Sequence, residues 1–152
     1  MNFSGAKEIA APMQVAWQSL NDPDLLKACI TGCTRFEEKA PAEYEVEMNA
    51  GIGPIKAKFR GEVKFRDLAP PTSYTILASA QGLAGIGSGS GEISVSLEEI
   101  DEQHCRLLYK AESQVGGKIA QLGSRLVEGV ANRMIDDFFK KFSAAHASDR
   151  HA

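Results

Sequence analysis

Residues 114–142 read QVGGKIAQLGSRLVEGVANRMIDDFFKKF and hold the longest helical pattern in the chain. Ile119, Leu122, Leu126, Val130, Met134, Phe138 and Phe142 recur every three or four residues, the spacing that stacks side chains along one side of a 3.6-residue helix. Ala120, Val127, Ala131, Ile135 and Phe139 widen the stripe, so this helix is expected to touch apolar material over an arc, as it would inside a concave sheet. Lys118, Arg125, Glu128, Asn132, Arg133, Asp136, Lys140 and Lys141 fall on the opposite, wet side. Gly116 and Gly117 sit where a chain leaving a strand reverses direction, and Lys140 and Lys141 sit where positive charge offsets the carbonyl end of the helix dipole. The expectation is a helix that starts just after the glycine pair and stops near Phe142. Residues 1–143 then form one domain, and residues 144–152 a flexible tail.

Upstream of that helix the period changes to two. Ile55, Ala57, Phe59, Gly61, Val63 and Phe65 alternate with Lys56, Lys58, Arg60, Glu62, Lys64 and Arg66, the pattern of an antiparallel strand with one dry and one solvated face. At about 3.3 Å per residue such a strand spans roughly 40 Å, long enough that a twisted sheet curves, and Gly61 offers a bend. Tyr44, Val46, Met48, Ala50 and Ile52 form the preceding strand, joined to it by a tight turn through Gly53-Pro54. Residues 74–80, the alternating Ile93, Val95, Leu97, and the run Cys105, Leu107, Tyr109, Ala111, Val115 supply further strands. Residues 34–40 read as a charged edge strand and residues 2–10 as a first strand. Between these last two, Pro12 opens a short helix with Val15, Ala16, Trp17 and Leu20 on its apolar side. Asn21 or Asp22 then caps a second helix beginning at Pro23.

Composition bounds the class. A chain of 152 residues, 43% hydrophobic and 24% charged, is one soluble globular domain. Its net charge of −3 argues against a dedicated nucleic-acid binder, and no apolar run approaches the roughly 18 residues that span a bilayer. The first residues, MNFSGAKEIAAP, lack the basic start and apolar core of a secretory signal. Three cysteines without a CxxC spacing point to a reducing compartment, hence a cytoplasmic protein.

Catalytic and metal chemistry find little material. His104 alternates outward on a strand, while His146 and His151 fall in the tail, so all three read as solvated and none as a general base. Cys29 and Cys33 are four apart yet have no histidine nearby, and read as small core residues. The segment GLAGIGSGSG (82–91) yields neither GxGxxG nor GK[ST], so its glycines are read as bulges or as places where another element, such as the long helix, comes close. No catalytic residue, metal ligand or cofactor is assigned. The basic stripe Lys56, Lys58, Arg60, Lys64, Arg66 reads either as a solvated face paired with Glu43, Glu45 and Glu47 or as a docking face for an acidic partner or anionic lipid.

The order of strand, two short helices, six strands and long helix resembles the α+β helix-grip fold, also called START-like or Bet v 1-like. GIGPIKAKFRG (51–61) with KAESQVGGKIAQLGSRLVEGVANRMIDDFFKKF (110–142) is similar to the carbon monoxide dehydrogenase CoxG family. The resemblance covers about residues 2–143. One departure is Ile30-Thr31-Gly32-Cys33, where the family commonly has Leu-Pro-Gly-Cys. The resemblance implies a curved sheet of about seven strands gripping the long helix around a cavity for an apolar ligand, lipid or quinone-like. It also implies a non-enzymatic accessory protein that assists recruitment of a molybdenum hydroxylase to the membrane, with membrane contact peripheral at most, on the inner face. The alternatives are a ligand-free adaptor that docks through the basic face and a cyclase or hydrolase of the wider fold. Expected in the cavity lining are Trp17, Met48, Phe59, Tyr74, Tyr109, Leu122, Leu126, Val130 and Met134, with Arg125 or Gln81 orienting a polar group of the ligand.

Overall fold

In the computed structural model, which describes residues 1–150 and side chains as far as His146, alternation along the strands sets the architecture. The elements are β1 (Asn2–Ile9), α1 (Met13–Leu20), α2 (Pro23–Cys29), β2 (Cys33–Ala40), β3 (Glu43–Ile52), β4 (Ile55–Ala69), β5 (Ser73–Gly82), β6 (Ser88–Asp101), β7 (His104–Gly116) and α3 (Ser124–Arg150), with short 3-10 turns at Leu83–Gly85 and Ala120–Leu122. One seven-stranded sheet runs β1-β7-β6-β5-β4-β3-β2, every neighbouring pair antiparallel. This is the α+β helix-grip arrangement, with α1 and α2 between the two edge strands and α3 laid along the inner face. In β4 the residues from Ile55 to Phe65 alternate inward and outward as their polarity demands. β2 is an edge strand, as its charge suggests.

Local chemistry explains the helix corner. Asp22 caps α2, its carboxylate accepting from the backbone N–H of Asp24 at 3.0 Å and of Leu25 at 3.4 Å. Pro23 takes the first helical position, where a missing N–H costs nothing. Pro12 precedes α1, whose Ala16 and Leu20 are buried while Val15 is exposed.

The large side chains gather at one end of the sheet. Rings touch in file from Phe36 through Tyr44, Phe65 and Tyr74 to Trp17, with centroids 5.1–5.2 Å apart. A second file runs from Tyr109 through Phe139 and Phe138 to Phe142 and on to His146. With Ile9, Leu97, Cys105 and Leu107 these form the core beneath α1 and the C-terminal half of α3.

Three expectations are corrected. The long helix begins at Ser124, not after Gly117, because Gly123 at φ 99° interrupts the chain and leaves Ile119 and Leu122 in a separate turn. The helix also runs through much of the supposed tail, to Arg150. His146, expected in solvent, is 2% exposed and hydrogen-bonded on both ring nitrogens. His151, also assigned to the tail, lies outside the described residues.

Candidate functional site

Along the inner face the strands change character toward the end opposite the aromatic files. Val46, Gly61, Ala80, Gly89 and Val115 stand side by side across β3, β4, β5, β6 and β7 in register. The next inward row reads Tyr44, Val63, Ala78, Gly91 and Ser113. Directly opposite, the N-terminal half of α3 presents Val127, Val130, Ala131 and Met134, where its C-terminal half presents three phenylalanines. Both layers therefore taper at the same level. Side chains this small do not bridge a helix and a sheet, and a cavity of about 360 Å³ remains between them. That lies at the lower end of the roughly 300–1,000 Å³ usual for small-molecule pockets.

The lining is almost wholly carbon. Met48, Ala50, Ile52, Phe59 and Ile119 complete the wall beyond the residues already named, and Ser113 contributes an inward hydroxyl. The glycines in β6 are not contact points for α3. A methyl group built on Gly89 would meet the carbonyl oxygen of Gln114 at 3.7 Å, and one on Gly91 would meet Glu112 and Ser113, so both face open space on the helix side. Gly61 differs, since a methyl there would run into the backbone of Ser79 and Ala80.

The residues expected in the lining divide four ways. Met48, Phe59, Val130 and Met134 line the cavity. Trp17, Tyr74 and Tyr109 pack in the core. Leu122, Arg125 and Leu126 line an outer groove of about 930 Å³ between α3 and the β3–β4 hairpin, which shares Ala50, Val130 and Met134 with the cavity. Gln81 faces outward, into a polar groove on the solvent side of the sheet. Size drew the aromatic residues to the core, and polarity drew Arg125 and Gln81 outward. The lining residues that sequence reasoning missed are the small ones, Gly61, Ala78, Ala80, Gly89 and Gly91 above all. Their signal was available as glycine and alanine at inward positions of adjacent strands.

Titratable groups sit elsewhere. Burial pushes the thiols of Cys29, Cys33 and Cys105 up, against a smaller opposing pull from Lys141 at the first. Cys29 ends α2 while Cys33 begins β2, its Sγ donating to the carbonyl of Arg35 at 3.3 Å, so the pair shares no helix face. Among the described residues no group of three His, Cys, Asp or Glu side chains is placed to hold a metal ion. Asp101, 2.9 Å from Nδ1 of His104, is held below the usual carboxylate range first by the backbone N–H of Gln103 and then by that imidazole.

The basic stripe on β4 resolves into two parts. Arg60 pairs with Glu47 at 3.0 Å and Lys64 with Glu43 at 3.3 Å, while Glu45 turns to Arg35 at 3.1 Å and Glu62 to Lys39. Lys56 and Lys58 face Gly51 and Asn49 across the ladder and, among the described residues, have no acid within 4.0 Å. No helix among the described residues is long and apolar enough to cross a membrane.

A family model for CoxG, one of the subunits of carbon monoxide dehydrogenase, matches residues 5–147. Among solved structures, a conserved protein from Geobacillus kaustophilus superposes with a TM-score of 0.91 at 32% identity, over 97% of this chain and 96% of that one. A START superfamily protein from Mycobacterium smegmatis gives 0.73 at 13% identity, over 97% of each chain. The Zhui aromatase/cyclase from Streptomyces sp. R1128 gives 0.69 at 14% identity, over 97% of this chain and 93% of that one. The last two likenesses are of fold alone. No curated protein matches.

Proposed function

The chain belongs to the carbon monoxide dehydrogenase CoxG family, and from that premise we propose a non-enzymatic accessory protein that holds a hydrophobic small molecule, lipid or quinone-like, under α3. In this reading it works in the cytoplasm or on the inner face of the membrane and assists recruitment of a molybdenum hydroxylase there. The observation that carries the ligand is the matched taper of sheet and helix. Glycine in a strand interior weakens the strand and fills no core, so placing Gly89 and Gly91 opposite Val127 and Val130 makes sense where something else occupies the space. A lining with so little polar surface favours an apolar ligand, with Ser113 as the one hydroxyl facing inward among the named lining residues.

Native mass spectrometry and solvent extraction of the purified protein test this, together with a titration against N-phenyl-1-naphthylamine. A co-purifying apolar molecule, or saturable uptake of the probe competed by lipids or quinones, is expected. An empty protein that also ignores the probe sinks the proposal.

A ligand-free adaptor is the second reading, favoured by the two lysines of β4 that lack acidic partners. It predicts that charge reversal at Lys56 and Lys58 abolishes co-purification with the hydroxylase while filling the cavity has no effect. The cyclase or hydrolase reading needs an acid and a base facing the ligand. The lining has one carboxylate, Glu62, which alternates to the outer face and pairs with Lys39.

A further inference from the structure

Antiparallel topology gathers three connections at the cavity end of the molecule: the β3–β4 hairpin, the β5–β6 connection and the turn from β7 into α3. They are locked together, Ser88 pairing with Gly116, Ile119 N–H donating to the carbonyl of Ile86 at 3.1 Å, and Gly53 lying against the Leu126 side chain. Segments 49–58, 81–91 and 113–127 carry Lys56, Lys58, Lys118 and Arg125 and no acid at all. At the opposite end, segments 37–43, 66–72 and 98–104 carry eight acids against Lys39 and Arg66. A chain of net charge −3 is thus polarised along its strands, with its positive pole at the cavity.

The positive pole is also apolar at its tips. Leu83, in the β5–β6 connection, is 46% exposed, and Leu126, on the first turn of α3, is 36% exposed. Leu126 and Arg125 both line the outer groove that shares Ala50, Val130 and Met134 with the cavity. The acidic end exposes Leu68 and Ile100 too, but among carboxylates that an anionic surface repels.

We propose that this basic, leucine-tipped end docks on an anionic phospholipid bilayer, with the groove beside α3 facing the lipid and the acidic end facing away. The orientation rests on the apolar-ligand reading above: a ligand poorly soluble in water exchanges where the cavity meets an apolar phase. A bilayer fits better than an acidic protein because the bases and leucines stand on separate tips around a groove instead of forming a flat patch. Bases at headgroup level with short apolar side chains between them suit an interface that is charged above and apolar below.

The test is co-sedimentation of the full chain with vesicles of phosphatidylcholine, alone or mixed with phosphatidylglycerol. Binding to the mixed vesicles alone is expected, lost as rising salt shortens the screening length from about 10 Å at 0.1 M to about 3 Å at 1 M. Lys56→Gln and Lys58→Gln should each weaken it about fivefold. Leu83→Ser should weaken it at every salt concentration, and Glu98→Gln should not weaken it. Equal binding to both vesicle types, binding to neither, or indifference to the lysines overturns the proposal. So does an outcome in which this end captures the purified hydroxylase and ignores vesicles. Probe uptake measured without vesicles separates the two readings: uptake with no vesicle binding ends the docking and leaves the cavity reading standing, whereas vesicle binding with no uptake supports the docking and ends the cavity reading.

Discussion

His146 is fastened to Ser19 across a sequence separation of 127 residues, its Nε2 lying 2.9 Å from the serine Oγ. Nδ1 lies 2.7 Å from the carbonyl oxygen of Phe142 and must donate there, so in the neutral ring Nε2 accepts from the serine hydroxyl. The ring also packs on Phe142, with centroids 4.4 Å apart. This contact pins the far half of α3 to α1 and so holds the aromatic end closed while the cavity end stays open.

Removing the clasp should therefore cost stability and little else. His146→Ala takes away a buried ring and two hydrogen bonds, and should destabilise by about 2–4 kcal/mol. Ser19→Ala removes one bond and should cost about 1 kcal/mol, and the double variant should fall short of the sum. Urea unfolding measures all three. A His146→Ala effect under about 0.5 kcal/mol would mean that the histidine is solvated after all.

Tyr74 supplies an alkaline limit. Burial, and secondarily Tyr44, pushes its phenol well above the ordinary tyrosine range, and burial raises Tyr44 and Tyr109 in the same direction. A group whose folded pKa exceeds its unfolded value contributes stability that is complete below the unfolded pKa, about 10 for tyrosine, and is lost as pH rises above it. Unfolding free energy should be flat approaching pH 10 and fall beyond it, with tyrosinate absorbance appearing together with loss of helical circular dichroism. Tyr74→Phe should flatten that fall. Tyrosinate that forms in full while the protein stays folded contradicts this account.

Two glycines on the same inward row should behave in opposite ways. Gly89 faces the cavity with 3.7 Å of clearance for an added carbon, so Gly89→Val should keep or raise stability, since valine suits a strand. By filling space it should weaken uptake of an apolar probe at least about tenfold if the lost contacts are worth roughly 1.4 kcal/mol. Gly61→Ala drives a methyl into the backbone of Ser79 and Ala80 and should destabilise by about 2–4 kcal/mol. Thermal melts with probe titration distinguish them. A destabilised Gly89→Val with unchanged uptake would put the open space elsewhere.

Those glycines also mark where sequence reading stops. The strands of β3 and β4 were legible because apolar and charged residues alternate without a break, and Met48, Phe59, Val130 and Met134 were placed beside the cavity by that periodicity. Gly89 and Ala80 carry no such hydrophobic signal. Their role appears when cross-strand register sets small residue beside small residue, and register is a relation between distant segments. The start of α3 was misplaced because Ile119 and Leu122 keep helical spacing across a break that Gly123 alone makes. The clasp was missed because a histidine near a C-terminus reads as polar until Ser19 is brought to it.

Trp17 offers a check on where the cavity ends. As the sole tryptophan it is a natural reporter, and it was expected in the lining, but its ring meets Tyr74 edge-on at 5.2 Å within the aromatic file, on the core side of Phe65 and Ile76. Saturating the protein with dodecanol, followed by displacement of N-phenyl-1-naphthylamine, should leave the intrinsic emission maximum unchanged. Trp17→Phe should leave probe affinity within about twofold, since it removes no lining contact and a twofold change is only about 0.4 kcal/mol. In that background Met134→Trp places an indole at the cavity wall, and its emission should shift as dodecanol enters. A wild-type emission that tracks dodecanol binding would mean that the ligand reaches through the aromatic file to α1, and the boundary drawn by Tyr44, Phe65 and Tyr74 would have to move.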